Sequence, residues 1–150
     1  MKICLVCSHG GHLVQMMRLR DAFKGHDDFL VTYNSEATKN LENAYLIKFE
    51  GWDLKGKILL VKYIIKAFRI LIKEKPDVII STGGGEIAVP FCYVGKVLGA
   101  KVIFIETLSR ITTPSRGGQL VYPIADLFLV QWESLLKKYG DKAKYWGKVI

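Results

Sequence analysis

The sequence predicts an α/β fold, a Rossmann-like open parallel sheet with helices on both faces. The first indication is that short apolar runs alternate with longer segments of helical periodicity along the chain. The second is that two of these runs lead into glycine turns that precede helices, an order typical of parallel strands joined by crossovers. The chain has 150 residues, 50% of them hydrophobic, which suffices for a core. We therefore expect one domain over residues 1–150.

The predicted strands are short and apolar. They cover residues 3–7, 29–33, 44–49, 78–80, 101–105 and 127–130. Continuous apolar runs of this length are typical of parallel strands that are buried on both faces.

The predicted helices lie between these strands. The segment after the first strand places four apolar side chains on one helical face, namely Leu13, Met16, Met17 and Phe23. Further helices are expected over 55–73, 87–98 and 134–139. Pro76 follows the first of these three and Gly99 the second, at positions where helices end. Pro90 is expected in the first turn of the helix over 87–98, where a missing N–H costs little.

The formal net charge of +8 favours anionic partners, which include nucleic acid, anionic lipid head groups and phosphorylated substrates. Nucleic acid is not expected, because the aromatic residues are not interleaved with a basic stripe on a strand surface and no helix-turn-helix motif is present.

The three cysteines are Cys4, Cys7 and Cys92, an odd number that does not suggest a disulfide framework. A spacing of three places Cys4 and Cys7 on opposite faces of a strand. We therefore expect them in the core and predict no metal site.

Two glycine turns, Ser8–His12 and Ser81–Gly85, follow buried strands and precede helices. The free N–H groups of a helix amino end attract anions, and glycine lets a phosphate approach the backbone. The predicted phosphate-binding residues of the turns are Ser8, Gly10, Gly11, Thr82, Gly83, Gly84 and Gly85. The alternative is that the glycines serve only the turn conformation.

Two common nucleotide sites fit the sequence poorly. The first turn is not Gly-x-Gly-x-x-Gly, and the second strand ends in Tyr33-Asn34 without the acidic residue that would hold a ribose hydroxyl. Neither turn is followed by the Gly-Lys-Ser/Thr of a P-loop.

Four residues near the turns are candidates for chemistry or binding. His12 opens the first helix and is a candidate to act as a base or to bind a phosphate; the alternative is a partly exposed residue at the start of the helix. Glu106 follows a buried strand and is expected to face the cleft, where a carboxylate can accept a proton or bind sugar hydroxyls; the alternative is that it caps a neighbouring helix. Arg110 and Arg116 flank a Ser-, Thr- and Gly-rich loop and suit phosphate contact.

The helix over 55–73 carries a stripe of cations on an otherwise apolar surface. The stripe consists of Lys55, Lys62, Lys66, Arg69 and Lys73, which fall within roughly 60° of arc. One interpretation is that the helix packs on the sheet and the stripe faces water. We favour the other, in which the apolar flanks contact a membrane and the cations meet its head groups.

Taken together, these motifs resemble a known family. The two glycine turns are similar to those of the MurG-type lipid-linked glycosyltransferases. More specific are the stretches Ile105–Arg110, Gly118–Asp126 and Val130–Glu133, which resemble the ALG-fourteen-like proteins. The resemblance covers essentially the whole chain. Relatives often carry a larger residue at one position of the second turn, where this chain has a third glycine.

The resemblance implies the amino-terminal half of a GT-B glycosyltransferase that is split into two chains. This half would bind a polyprenyl-diphosphate-linked saccharide acceptor, and an ALG-thirteen-like partner would hold the UDP-sugar donor, so no tightly bound cofactor is expected. The transferred sugar would be N-acetylglucosamine, glucose or galactose, and the chain alone would be inactive. The last residues, from Gly147, resemble the hinge strand that leads into the second domain of a fused enzyme.

The resemblance also implies a location and a set of roles. We expect peripheral attachment to the cytoplasmic face of the membrane, since the first strand starts at residue 3. His12 and Glu106 would activate or orient the acceptor hydroxyl, and Tyr122, Gln131 and Trp132 would lie at the partner interface. Two alternatives are a non-catalytic scaffold that recruits the catalytic partner and a small nucleotide-binding domain.

Overall fold

A seven-stranded parallel sheet runs through the protein, which is described in a computed structural model covering residues 1–49 and 56–149. Its strands are β1 Lys2–Cys7, β2 Asp27–Tyr33, β3 Ala44–Ile47, β4 Val78–Gly83, β5 Lys101–Ile105, β6 Leu127–Val130 and β7 Ala143–Tyr145. They lie in the order β3-β2-β1-β4-β5-β6-β7, and all neighbours are parallel. The strand order reverses between β1 and β4, and ligands bind at such a point on the carboxyl edge.

Helices cover both faces of the sheet. They are α1 Gly11–Arg20, α2 Gly56–Glu74, α3 Gly85–Val97, α4 Arg116–Val121 and α5 Leu136–Tyr139, with short 3₁₀ turns at Asp21–Phe23 and Glu133–Leu135. Helix α1 packs on one face through Leu13 and Met16, whereas α2, α3 and α4 pack on the other. The predicted Rossmann-like architecture is therefore confirmed.

Strand β1 is buried on both faces because it lies in the middle of the sheet. Cys4 belongs to the core under α2 and α3, whereas Cys7 belongs to the core under α1. The two cysteines thus lie on opposite faces, as their spacing predicts. Both thiols are buried and free, and burial raises the pKa of Cys7 to about 12, which suits packing rather than redox chemistry.

The second glycine turn is shorter than predicted. Strand β4 extends through Gly83 and α3 begins at Gly85, so Ser81 and Thr82 belong to the strand. Because α3 begins earlier than expected, Pro90 lies in its second turn and not in its first. There it removes the N–H that would bond the carbonyl of Glu86.

Two elements, α4 and β7, are absent from the sequence-based prediction. Helix α4 contains Gly117 and Gly118, which disfavour a helix. Its amino end is stabilised by Ser115, whose Oγ accepts a hydrogen bond from the Gly118 N–H at 2.9 Å. Strand β7 has three residues and pairs only with β6, so it is too short to show a period of its own.

Helix α2 is held on the sheet by Tyr63, Ala67 and Leu71, which are buried. Within residues 1–49 and 56–149, no helix combines the length and the apolar character that crossing a bilayer requires. Lys55, predicted as part of the basic stripe, lies outside the described residues.

Candidate functional site

A cavity of about 920 Å³ opens at the carboxyl edge of the sheet, where the starts of α3 and α4 meet the first half of α2. Its polar lining comes from His12, Glu86, Thr107, Ser109, Arg110, Ser115, Arg116 and Gln119. Its apolar lining comes from Leu59, Leu60, Tyr63, Val89, Tyr93, Pro114 and Leu120. An apolar concave wall with a few converging polar groups is typical of small-molecule sites.

The two glycine turns lie side by side at this edge. The Ser8 N–H donates to the Gly83 carbonyl at 3.3 Å. Gly84 has a φ of +89°, and a Cβ added to it would fall 2.5 Å from the Cβ of Ser8. The contact between the turns therefore requires a glycine at this position, which supports a structural role for Gly84.

The predicted phosphate-binding residues divide into two groups. Gly84, Gly85 and Arg110 line the cavity, whereas Ser8, Gly10, Gly11, Thr82 and Gly83 do not. Gly10 and Gly11 lie at the start of α1, and an added Cβ would meet no atom within 4 Å at either of them. The first turn is therefore open to an approaching group, while the second is partly filled by its own packing.

His12 lies in the wall of the cavity and has a defined orientation. Its Nδ1 donates to the carbonyl oxygen of Thr82 at 2.7 Å, and the Thr82 hydroxyl donates to the His12 carbonyl at 2.9 Å. A carbonyl can only accept, so the neutral imidazole carries its proton on Nδ1 and a lone pair on Nε2. This arrangement suits a base, because Nε2 is left to accept a proton.

Glu106 is 1% exposed and does not line the cavity, so the expectation that it faces the cleft is wrong. Its Oε1 accepts from the Thr107 N–H at 2.8 Å and its Oε2 from the Ser115 N–H at 3.0 Å. The Tyr139 hydroxyl also donates to Oε2. Burial, together with this carboxylate, raises the pKa of Tyr139. The contacts favour the alternative in which Glu106 holds the start of α4.

Arg110 and Arg116 reach the cavity from the loop before α4 and from the first residue of that helix. Both residues are exposed. Within the described residues, neither guanidinium has an ion-pair partner. Two such cations beside a cavity can bind a phosphate or diphosphate.

Most of the residues predicted for the partner interface form contacts within the protein. Gln131 is 1% exposed; its Nε2 donates to Gln15 and to the Glu106 carbonyl, and its Oε1 accepts from the Val149 N–H. Its placement at an interface is therefore wrong, because a partner cannot reach it. Tyr122 and Trp132 are half-buried, and the Trp132 indole donates to the Leu108 carbonyl at 2.7 Å.

The outer surface of α2 has an apolar stripe beside its basic stripe. The apolar stripe consists of Ile58, Val61, Ile65, Phe68 and Ile72, which are exposed. Of the predicted cations, Lys62, Arg69 and Lys73 are exposed and Lys66 is half-buried. The Lys73 ammonium donates to the Tyr45 hydroxyl at 3.1 Å, so Lys73 is tied to the sheet edge. Leu59 and Leu60 on the same helix line the cavity.

Several residues in or beside the cavity were not predicted from the sequence, among them Tyr33, Tyr63 and Glu86. Glu86 lies in the first turn of α3 and lines the cavity. The Tyr33 hydroxyl donates to its Oε2 at 3.1 Å. Glu86 could have been recognised from the sequence, because it is an acidic residue directly after the second glycine turn. The two tyrosines lie in elements that are distant in the sequence, and no local pattern indicates a role for them.

Comparison with known proteins identifies the family. A family model described as "Oligosaccharide biosynthesis protein Alg14 like" matches residues 54–149, which is more than half of the chain. The chain belongs to this family. The matched range of the Alg14-like chain includes the second glycine turn, α4 and the segment around Tyr122, and the resemblance drawn from these motifs is confirmed.

Named relatives agree with this assignment, and solved structures share the fold. Candida albicans "UDP-N-acetylglucosamine transferase subunit ALG14" is 41% identical over 86 residues, covering 53% of this chain and 38% of that protein. The human subunit of the same name is 22% identical, covering 100% of this chain and 83% of that protein. The MurG structure from Acinetobacter baumannii has a TM-score of 0.79 at 14% identity, covering 99% of this chain and 45% of MurG. A UDP-GlcNAc 2-epimerase from Methanocaldococcus jannaschii has a TM-score of 0.77 at 19% identity, covering 99% of this chain and 47% of that one. The structures share the fold, and the Alg14-like chain spans less than half of each.

The contacts of Glu106 predict a role in stability. We expect Glu106→Ala to lower the free energy of unfolding by at least about 2 kcal/mol, because each buried donor left unpaired costs roughly 1–3 kcal/mol. Urea denaturation measures the loss. The control is Glu133→Ala, at an exposed glutamate, which we expect to change the free energy by less than about 0.5 kcal/mol. Equal stability of the two variants would contradict the capping role.

The hydrogen bond to Thr82 predicts the tautomer of His12. We expect the neutral imidazole to be protonated on Nδ1, which ¹⁵N chemical shifts of the ring report directly. His26 is exposed and serves as the control, since its ring has no hydrogen-bond partner within residues 1–49 and 56–149. Observation of His12 mainly as the Nε2–H form would contradict the geometry and remove the basis for its role as a base.

Proposed function

We propose that this Alg14-like protein is the acceptor-binding subunit of a UDP-sugar-dependent glycosyltransferase. In this proposal it binds a polyprenyl-diphosphate-linked saccharide at the cytoplasmic face of a membrane, and an ALG-thirteen-like partner holds the UDP-sugar. The names of the relatives, which are transferase subunits, support the reaction class. The word "subunit" in these names supports the division of the enzyme between two chains.

The observation that carries the proposal is the mixed chemistry of the cavity. Arg110 and Arg116 give it cationic groups that suit a diphosphate, while Leu59, Leu60 and Val89 give it an apolar wall. An isoprenoid lipid with a diphosphate link requires both. The apolar wall belongs in part to α2, so a lipid held there can continue along the exposed apolar stripe of that helix into a bilayer.

His12 supplies a chemical step in this proposal. Its Nε2 accepts the proton of the acceptor hydroxyl while that oxygen attacks the anomeric carbon of the UDP-sugar. A new carbon–oxygen bond forms, the bond from the anomeric carbon to the diphosphate breaks, and UDP leaves with the electron pair. Thr82 keeps the ring in the required tautomer. No cofactor takes part in this step, and the released UDP remains bound to the partner.

A non-catalytic scaffold is the second candidate. It is favoured by the structural explanations for Gly84, which packs on Ser8, and for Glu106, which holds α4. In this case the chain recruits and stabilises the catalytic partner, and the cavity is not used in transfer.

Reconstitution distinguishes the two candidates. Labelled sugar transfer to a lipid-diphosphate saccharide is measured with this chain alone, the partner alone and both together. We expect transfer only in the mixture, and we expect His12→Ala to lower kcat by about 10²- to 10⁴-fold, as removal of a general base does. His26→Ala, at an exposed histidine that does not line the cavity, is the control. Transfer by the partner alone, unchanged by His12→Ala in the mixture, would favour the scaffold.

Vesicle binding tests the role of α2. We expect Ile65→Asn to weaken binding to phosphatidylglycerol-containing vesicles by about fivefold or more, because burying an isoleucine contributes roughly 1.5–3 kcal/mol. Arg69→Ala should weaken binding by about fivefold and reduce its salt dependence. The control is Val14→Asn, at a residue that is 53% exposed on α1, on the other face of the sheet. Equal binding by the Ile65 and Val14 variants would contradict a membrane contact through α2.

A further inference from the structure

The buried side-chain amide of Gln131 joins four parts of the chain at the carboxyl edge of the sheet. Its Oε1 accepts from the Val149 N–H at 2.7 Å. Its Nε2 donates to the Glu106 carbonyl at 2.8 Å and to the Gln15 Oε1 at 2.9 Å. Because an amide nitrogen carries two hydrogens, both donors and the acceptor of this side chain are engaged. Gln131 is therefore held in one orientation.

The backbone partners of Gln131 determine which of its atoms faces α1. A backbone N–H can only donate and a backbone carbonyl can only accept, so Val149 and Glu106 fix the positions of the amide oxygen and nitrogen. The second hydrogen of the nitrogen then points to α1, where the Gln15 oxygen accepts it. The contact between the two glutamines therefore requires an acceptor at residue 15 and a donor at residue 131.

This contact is one of two polar attachments of α1 to the sheet edge. The apolar contacts of the helix are non-directional and do not by themselves fix its position. At the start of the helix, His12 is bonded to Thr82 at the end of β4. Three residues later on the same side of the helix, the buried Gln15 is bonded to Gln131 after β6. The two attachments together set where α1 lies across the sheet.

Gln131 also holds the loop that brings an arginine to the cavity. It binds the carbonyl of Glu106, and the next residue, Thr107, already lines the cavity, as does Arg110 in the same loop. One amide thus binds both the helix that carries His12 and the start of the loop that carries Arg110. In the proposed function His12 meets the acceptor hydroxyl and Arg110 the diphosphate, so the spacing between them has to match the acceptor.

We propose that Gln15 and Gln131 are positioning residues that hold His12 at a fixed distance from the loop carrying Arg110. Neither glutamine lines the cavity, so they act through α1 and not on the substrate. Precise placement matters for a base, because a displacement of about 1 Å can lower the rate by about 10²-fold. The inference rests on the proposed function and adds the residues that set the geometry of its base.

Two matched variants test the hydrogen bond between the glutamines. Gln15→Glu keeps an acceptor oxygen at this position, whereas Gln15→Met removes it with little change in shape. With the reconstituted pair, we expect Gln15→Met to lower kcat about tenfold and to change the KM for the acceptor by less than about twofold. Gln15→Glu should keep kcat within about threefold of the unmodified pair, because its oxygen still accepts. The control is Val14→Met, at the exposed neighbouring residue of α1, which should leave kcat unchanged.

A second substitution at His12 separates positioning from a general loss of structure. In the His12→Ala background, Gln15→Met should change the residual rate by less than about twofold, since the residue through which Gln15 acts is gone. The same loss in both backgrounds would overturn the inference. Equal losses for Gln15→Met and Gln15→Glu would also overturn it, as would an unchanged kcat for Gln15→Met.

The chain alone gives a readout that does not depend on sugar transfer. The ¹⁵N chemical shifts of the His12 ring report the fraction of the Nδ1–H form. We expect this fraction to fall in Gln15→Met, because a displaced α1 weakens the bond from Nδ1 to the Thr82 carbonyl, and to be retained in Gln15→Glu. An unchanged fraction in Gln15→Met would contradict the positioning role. Absence of transfer in every unmodified mixture would instead contradict the proposed function.

Discussion

The site depends on the close approach of two turns at the carboxyl edge of the sheet. Gly84 lies so near Ser8 that any side chain would force the turns apart. This contact brings the end of β4 next to the start of α1, where Thr82 binds His12 through two hydrogen bonds. It also sets where α3 begins, and a Cβ added to Gly117 of α4 would fall 3.1 Å from the Cα of Gly85. The cavity results from this packing, since the first turns of α3 and α4 form part of its wall.

The cavity combines three kinds of surface that a simple nucleotide site does not need. The arginines suit an anion, the wall from α2 and α3 suits a hydrocarbon chain, and the Glu86 carboxylate can accept a hydrogen bond from a hydroxyl. A lipid-linked saccharide contains these three chemical parts in one molecule. The physical character of the cavity therefore supports the acceptor class that we propose for this Alg14-like chain.

Polar residues at strand ends illustrate why chemistry cannot be assigned from position alone. Glu106 directly follows β5, where a catalytic carboxylate is expected, yet the loop after it returns so that the Ser115 N–H meets this side chain. Gln131 likewise follows β6 and is buried among Gln15, the Glu106 backbone and Val149. Both residues satisfy backbone or side-chain groups in the interior, where an unpaired partner would be costly. The path of the chain around these two side chains, which no local pattern specifies, decides that they are buried.

The sequence by itself determined the parallel sheet, the opposite faces of Cys4 and Cys7, and the two turns that meet at its edge. These follow from local signals: apolar runs, a period of two in strands, and glycines between a strand and a helix. It did not reveal α4, whose glycines obscure a helix that depends on the Ser115 cap and on Glu106. Only the tertiary structure decided that Glu106 is internal, and only it brought Tyr33, Tyr63 and Glu86 together. The physical reason is that these contacts join separate elements, so their energies depend on packing that no local pattern contains.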